Sequence, residues 1–262
     1  ATQEYQYVHH YSNTPVYSVQ VSKQGCRVII EAYAEDYRFV ENNGESMMIP
    51  FNYMITNSGE QKVKIKIYPK EGEQYLTKYA HVQVNLYHAP SKESGLKDYQ
   101  KINSFALPEG LEPQKLPYYE HVLTFDAQVP YDYSDSLAKA KDLRNIPNIR
   151  GLVEKKYKGI WEISKNNDFA NFAKEFIPSF AKVSNTTYES KEEISKLYIN
   201  YNGITITTDK LFDKQFLPLD DCELQFYADG KVVSLWHKKS FNGGLSMTGK
   251  YKDEKGEIKE NF

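Results

Sequence analysis

Hydrophobic and polar residues alternate with a period of two along much of the first half of this chain. Lys62-Val63-Lys64-Ile65-Lys66-Ile67-Tyr68 sends the valine and both isoleucines to one side and three lysines to the other. That is the pattern of a strand with one buried face. Val16 to Val21 alternates, and so does His81 to Tyr87, with Val82, Val84 and Leu86 inward. Arg27 to Ala32 holds the solid apolar triplet Val28-Ile29-Ile30, Met47 to Ile49 is a short apolar run, and His121 to Val129 closes the series. Turn clusters separate these runs: Lys23-Gln24-Gly25, Asn42-Asn43-Gly44, Asn57-Ser58-Gly59 and Lys70-Glu71-Gly72. Short strands punctuated in this way predict an all-β antiparallel sandwich over residues 1–145. Residues 89–117, polar and proline-containing, are expected to form a long connection, either an excursion or a partly ordered loop.

Near Ser136 the period changes. A short helix is expected over Ser136 to Arg144, and Pro147 marks a boundary before Gly151. Leu152, Val153, Tyr157, Ile160 and Trp161 then share one helical face. Asp168 is the expected N-cap of a second helix striped by Phe169, Phe172, Phe176 and Phe180, with Pro178 near its end. Ser190-Lys191-Glu192-Glu193 is a capping box opening a third helix that ends near Leu197. After Tyr198 the chain returns to strands. Asp229-Gly230 supplies the positive φ angles of a type I′ turn, so Leu224 to Ala228 and Lys231 to His237 form a hairpin. Its register sets Phe226 opposite Val233 and Leu224 opposite Leu235. A second hairpin over Thr248 to Ile258 turns near Lys255-Gly256. Helices followed by strands predict an α+β unit over residues 146–262, with helices packed on one face of an antiparallel sheet.

Two resemblances follow. The Ile49-Pro50-Phe51-Asn52 to Gly59 segment, with Val63-Lys64-Ile65-Lys66-Ile67 after it, resembles the strand, turn and strand core of galactose-binding-like and immunoglobulin-like sandwich domains. The region from Gly151 onward is similar in element order to the cystatin-like, NTF2-like α+β fold, in which helices lie across a curved sheet and enclose a conical pocket. Together they imply an exported bacterial protein of two domains. Both resemblances concern fold alone and bring no functional residue with them.

Composition changes the picture at a few points. The chain has 22 Tyr against 13 Phe and 2 Trp. Tyrosine buries a ring while its hydroxyl stays wet, which suits half-exposed strands and shallow recognition surfaces. A net charge of −2 argues against a dedicated nucleic-acid binder, whose affinity comes from neutralising phosphates. No apolar run approaches the roughly 20 residues of a helical membrane span, so the chain reads as soluble. Cys26 and Cys222 are too few for a disulfide framework or a zinc knuckle; one bridge or two buried thiols remain, and buried thiols are the expectation. Ala1 to Tyr7 lacks the basic and apolar regions of a signal peptide, so a leader has been removed or never existed.

Reactive side chains do not converge in the sequence. His9 and His10 are adjacent and His81 and His88 are seven apart, so neither pair shares a strand face, while His121 and His237 stand alone. No metal or cofactor is therefore expected. There is no Gly-x-Ser-x-Gly elbow and no recognisable cysteine context, so no catalytic residue is assigned. Asp132-Tyr133-Ser134-Asp135 reads as a helix cap, since it lacks the glycine and glutamate of an EF-hand loop. Lys62, Lys64, Lys66 and Lys70 make a basic stripe, which is either a contact for an anionic glycan or membrane or a solvated or protected edge strand.

Tyr157 and Trp161 on the first helix, with Phe226 and Trp236 on the hairpin, are the candidate ligand-binding residues of a pocket between helices and sheet. Phe226 and Trp236 differ in strand parity, so without a bulge only one of them faces the helices. The expected function is a non-catalytic exported protein, in the periplasm or cell envelope, that binds a glycan, peptide or protein partner through tyrosine-rich surfaces. It is expected to take no nucleic acid and to have no membrane span. The alternatives are a hydrolase or isomerase working in an enclosed C-terminal pocket, with Asp or His as general base, and an immunity-type protein that neutralises a toxin.

Overall fold

The alternation over Lys62 to Tyr68 is realised in full: Val63, Ile65 and Ile67 are completely buried in the middle of a sheet. The computed structural model describes residues 7–40, 44–196 and 211–261. Eight strands make up the first half: β1 (Val16–Gln24), β2 (Cys26–Glu31), β3 (Asp36–Phe39), β4 (Glu45–Pro50), β5 (Gly59–Pro69), β6 (His81–Ala89), β7 (Gln100–Ala106) and β8 (Tyr119–Ala127). They form two four-stranded antiparallel sheets, ordered β4-β1-β6-β7 and β3-β2-β5-β8. One apolar cluster lies between them, taking Val19 and Val84 from the first sheet and Ile30, Ile65 and Leu123 from the second. Each such side chain contributes about 1.5–3 kcal/mol by leaving water.

The connection expected over residues 89–117 contains β7, which pairs with β6. This strand escaped the pattern because it lies at the sheet edge and buries Phe105 alone. The lysine stripe is not an edge either. β5 sits between β2 and β8, so acids on both neighbours reach its lysines. Lys66 is 3.1 Å from Glu31, and Lys64 is 3.8 Å from Glu31 and 3.7 Å from Glu120.

Beyond the sheets come α1 (Ser134–Lys139), α2 (Ile149–Lys165) and α3 (Phe169–Thr186). α1 starts earlier than expected because Asp132 Oδ1 accepts from the Ser134 N–H at 2.7 Å, and it stops at Lys139 with a separate short turn over Leu143–Asn145. α3 opens on the Asp168 cap, as the sequence implied, but runs through Pro178 to Thr186. Proline removes one intrahelical hydrogen bond; the last turns are held instead by the buried residues Ala181, Ser184, Asn185 and Thr186. The capping box forms both of its bonds, Ser190 N to Glu193 Oε2 at 2.7 Å and Glu193 N to Ser190 Oγ at 3.1 Å. The turn at Asn42-Asn43, the helix end near Leu197 and the chain just after Tyr198 lie outside the described residues.

The C-terminal strands are β9 (Phe212–Phe216), β10 (Cys222–Tyr227), β11 (Val232–His237), β12 (Met247–Lys252) and β13 (Ile258–Asn261). β10 and β11 pair in the register read from Asp229-Gly230, with Phe226 opposite Val233 and Leu224 opposite Leu235. Asp229 has φ 54° and Gly230 φ 85°, and Lys231 N donates to Ala228 O at 3.1 Å. A Cβ on Gly230 would lie 2.3 Å from Asp142 Oδ1 and 2.4 Å from Arg144 Nε. Gly230→Ala is expected to cost about 1–2 kcal/mol in urea unfolding, and a neutral result would contradict this account of the turn.

These strands do not join into the single curved sheet expected. They form the two-stranded β10-β11 and the three-stranded β13-β12-β9. The outer edge of β11 is already occupied: His237 N donates to Asn242 O at 2.8 Å and Gly244 N to Leu235 O at 2.9 Å. With that edge taken by a loop, β12 pairs with β9 instead. The whole is mostly β, four antiparallel sheets with a few helices.

The β10-β11 hairpin is covered on both faces. Leu224, Val233 and Leu235 pack toward Val153, Tyr157 and Trp161 of α2. The other face meets the outside of β2 and β3, where Tyr227 Oη donates to Asp36 Oδ2 at 2.5 Å and the Arg38 guanidinium lies 3.7 Å from the Trp236 ring centre.

Candidate functional site

The hairpin covers β2 and β3, and Phe241 in the loop after it meets Tyr68 of β5 at 4.8 Å, but the outer face of β5 from Glu60 to Lys64, beside Val122 of β8, is left open. A groove of about 810 Å³ runs there, exposed to solvent. Its floor carries Lys62, Lys64 and Val122, and Phe226, the hairpin turn, Leu137 of α1 and Tyr33 line its sides. Local geometry builds this shape. Ala228 takes a left-handed φ of 52°, so its N–H leaves the hairpin and donates to Tyr33 O at 2.8 Å. Tyr33 Oη then donates to Asp229 Oδ2 at 3.1 Å, which fixes the ring beside the turn. Burial, and then the bond to Asp229, push the Tyr33 phenol above its ordinary pKa.

Charges of both signs face this groove. Arg144 is held by Asp142, with Nε at 2.9 Å and Nη2 at 2.7 Å from its two oxygens. That contact brings the Asp142 carboxyl down to about 2. Lys231 Nζ donates to Ala138 O at 3.4 Å, tying the turn to α1. Among the described residues, Lys62 and Glu60 have no ion-pair partner, and both are exposed. This chemistry can recognise an elongated polar ligand: two aromatic residues, Val122 among the lysines of the floor, and charges left free to pair.

The four residues expected to share a pocket are not brought together. Tyr157 Oη accepts from Leu235 N at 3.0 Å, and Trp161 Nε1 donates to Gly244 O at 3.2 Å while its ring stacks on Phe216 at 5.0 Å. These two fasten α2 to the C-terminal strands. Trp236 lies on the opposite face of the hairpin, with Nε1 donating to Tyr227 Oη at 3.0 Å. Only Phe226 of the four lines the groove.

One pairing was missed in the sequence. Cys222 Sγ lies 3.4 Å from His237 Nδ1, and both residues are buried. The register that sets Leu224 opposite Leu235 also sets Cys222 opposite His237, so the signal was present in the Asp-Gly turn. Burial raises the Cys222 thiol above its ordinary value, which disfavours the thiolate. Cys26 and Cys222 are both free and buried, as expected. Among the described residues no three metal-ligating side chains converge, and no helix is long and apolar enough to cross a membrane.

Comparison with known proteins gave no match to a family model, to a curated protein or to a solved structure.

Proposed function

We propose that this chain is a binding protein that holds an extended segment of a peptide or protein partner in the groove over β5 and β8. The reading rests on the uncovered strip of sheet itself, flanked by Tyr33 and Phe226 and carrying the unpaired Lys62 and Glu60. Free charges of opposite sign, Lys62 and Glu60, suit a polypeptide, whose side chains present both, better than a neutral glycan. On this reading residues 1–145 are a sandwich domain of galactose-binding-like or immunoglobulin-like kind. Residues 146–262 are an α+β unit of NTF2-like order that supplies one wall, and the protein acts outside the cytoplasm, in the periplasm or cell envelope.

Peptide and glycan arrays probed with the full chain test the idea, alongside Tyr33→Ala and Lys62→Glu. Peptide hits that weaken about tenfold in both variants support it. Hits confined to glycans would replace the peptide by a sugar chain. Silence on both arrays, or binding indifferent to both variants, would end it.

A further inference from the structure

Helices α2 and α3 lie side by side, bridged by Lys156 and Glu175 at 2.5 Å, and their outward faces differ in kind. On α3, Phe172, Phe176, Phe180 and Val183 fall on one side of the helix. The ring centres of Phe172 and Phe176 are 4.5 Å apart and those of Phe176 and Phe180 6.3 Å, so the rings form a ladder. Phe172 is 36% exposed and Phe180 and Val183 are each 42% exposed. On α2, the side turned away from Val153, Tyr157 and Trp161 carries Lys155, Lys158, Gly159 and Glu162, all exposed, together with Leu152, which leaves the apolar face expected for it. A Cβ on Gly159 would meet nothing within 4 Å, as an open face requires.

Charge follows the same division. Residues 149–186 hold seven basic side chains against four acidic ones, leaving +3 within a chain of net −2. Lys155, Lys158, Lys165 and Lys174 have no ion-pair partner among the described residues, whereas Arg150, Lys156 and Lys182 are paired with Glu154, Glu175 and Glu35. An apolar ladder next to a basic helix face is the arrangement that adsorbs at a lipid–water boundary.

We propose that the α2–α3 pair docks on a bilayer rich in anionic headgroups, with the phenylalanine ladder at the acyl boundary and Lys155 and Lys158 of α2 on headgroup phosphates; Lys174 falls on the far side of α3 from the ladder. Charge complementarity selects the anionic surface. The exposed rings select lipid over nucleic acid, because a phosphate backbone would satisfy the lysines and leave the ladder in water. The site is separate from the groove and stands or falls without it.

The test is co-sedimentation of the full chain with vesicles of phosphatidylcholine alone and with vesicles of equal parts phosphatidylcholine and phosphatidylglycerol, at low and high salt. The expected result is at least about tenfold stronger partition into the anionic vesicles, weakened by salt. Phe172→Ser/Phe180→Ser and Lys155→Glu/Lys158→Glu are each expected to reduce it about tenfold. The charge variant alters only exposed, unpaired side chains, so it carries the test should the phenylalanine variant disturb α3; circular dichroism checks both. Equal partition into the two vesicle types, no partition at all, or an unaffected charge variant would overturn the proposal. Self-association of the wild type without vesicle binding would also overturn it and assign the face to a second copy.

Discussion

Asn52→Ala is expected to lower the free energy of unfolding by about 2–4 kcal/mol, because it leaves buried polar groups without partners. Asn52 is buried in the short turn that follows β4. Its Oδ1 accepts from Tyr17 N at 2.7 Å, and its Nδ2 donates to Pro15 O at 2.9 Å and to Tyr188 Oη at 3.1 Å. Tyr188 Oη in turn donates to Pro15 O at 2.7 Å, and Tyr131 Oη donates to Asn52 O at 2.7 Å. The side-chain amide therefore ties the start of β1 to Tyr188 just beyond α3, while the backbone carbonyl of the same residue holds the segment after β8. Truncation strands the Tyr17 N–H where water does not reach it. Since Asn52 and Tyr188 share the Pro15 carbonyl, the double variant with Tyr188→Phe should cost less than the two single costs combined. Urea unfolding of the four species measures this; a loss under about 0.5 kcal/mol for Asn52→Ala would remove the residue from this role.

A loss of stability at alkaline pH is the second large effect. Burial pushes the phenols of Tyr131, Tyr188 and Tyr227 well above their ordinary value, and Tyr53 up to about 12, with the Glu35 charge adding to the last. Burial likewise lifts the Cys26 thiol to about 11. In the unfolded chain the thiol ionises near 9.0 and the phenols near 10.0. Above those values the folded state holds protons that the unfolded state has released, so stability declines as pH rises. The contribution is complete below pH 9.0, begins to fall there through Cys26, and falls more steeply above 10.0 as the tyrosines join. Each group removes up to about 1.4 kcal/mol per pH unit within its window, less where its ring is partly wet. Urea unfolding at steps of pH across that range reads the slope. A flat profile would show that these phenols are not held protonated by the fold. Tyr131→Phe should reduce the slope while costing about 1 kcal/mol at neutral pH through its lost bond to Asn52 O.

Both effects bear on why this chain is rich in tyrosine. From composition, tyrosines were expected on half-wet strands and recognition surfaces. Tyr33 fits that expectation, but Tyr17, Tyr131, Tyr188 and Tyr227 are buried, with hydroxyls bonded to backbone groups, to Asn52 or to Asp36. Tyr188 and Tyr227 seam later elements onto the two facing sheets, while Tyr17 and Tyr131 fasten the segment after β8 to β1 and to the turn after β4. Nothing within a few residues of Tyr131 or Tyr188 announces that use, since their partners lie 79 and 173 positions away.

Features decided by neighbours in the chain were legible without coordinates. Strand alternation, the Ser190 capping box, the Asp168 cap and the hairpin register all depend on residues within one turn or one strand, where steric and hydrogen-bonding preferences act directly. Even the Cys222–His237 pairing was contained in that register. Which strands become neighbours was not. The fate of Lys64 and Lys66 depends on Glu31 and Glu120, and the loop on the edge of β11 is what divides the C-terminal strands into two sheets. The groove over β5 and β8 exists because the hairpin settles on β2 and β3 and stops there. Those choices belong to the tertiary structure, because each is settled by competition among surfaces far apart in sequence for the same buried area and the same free backbone edges.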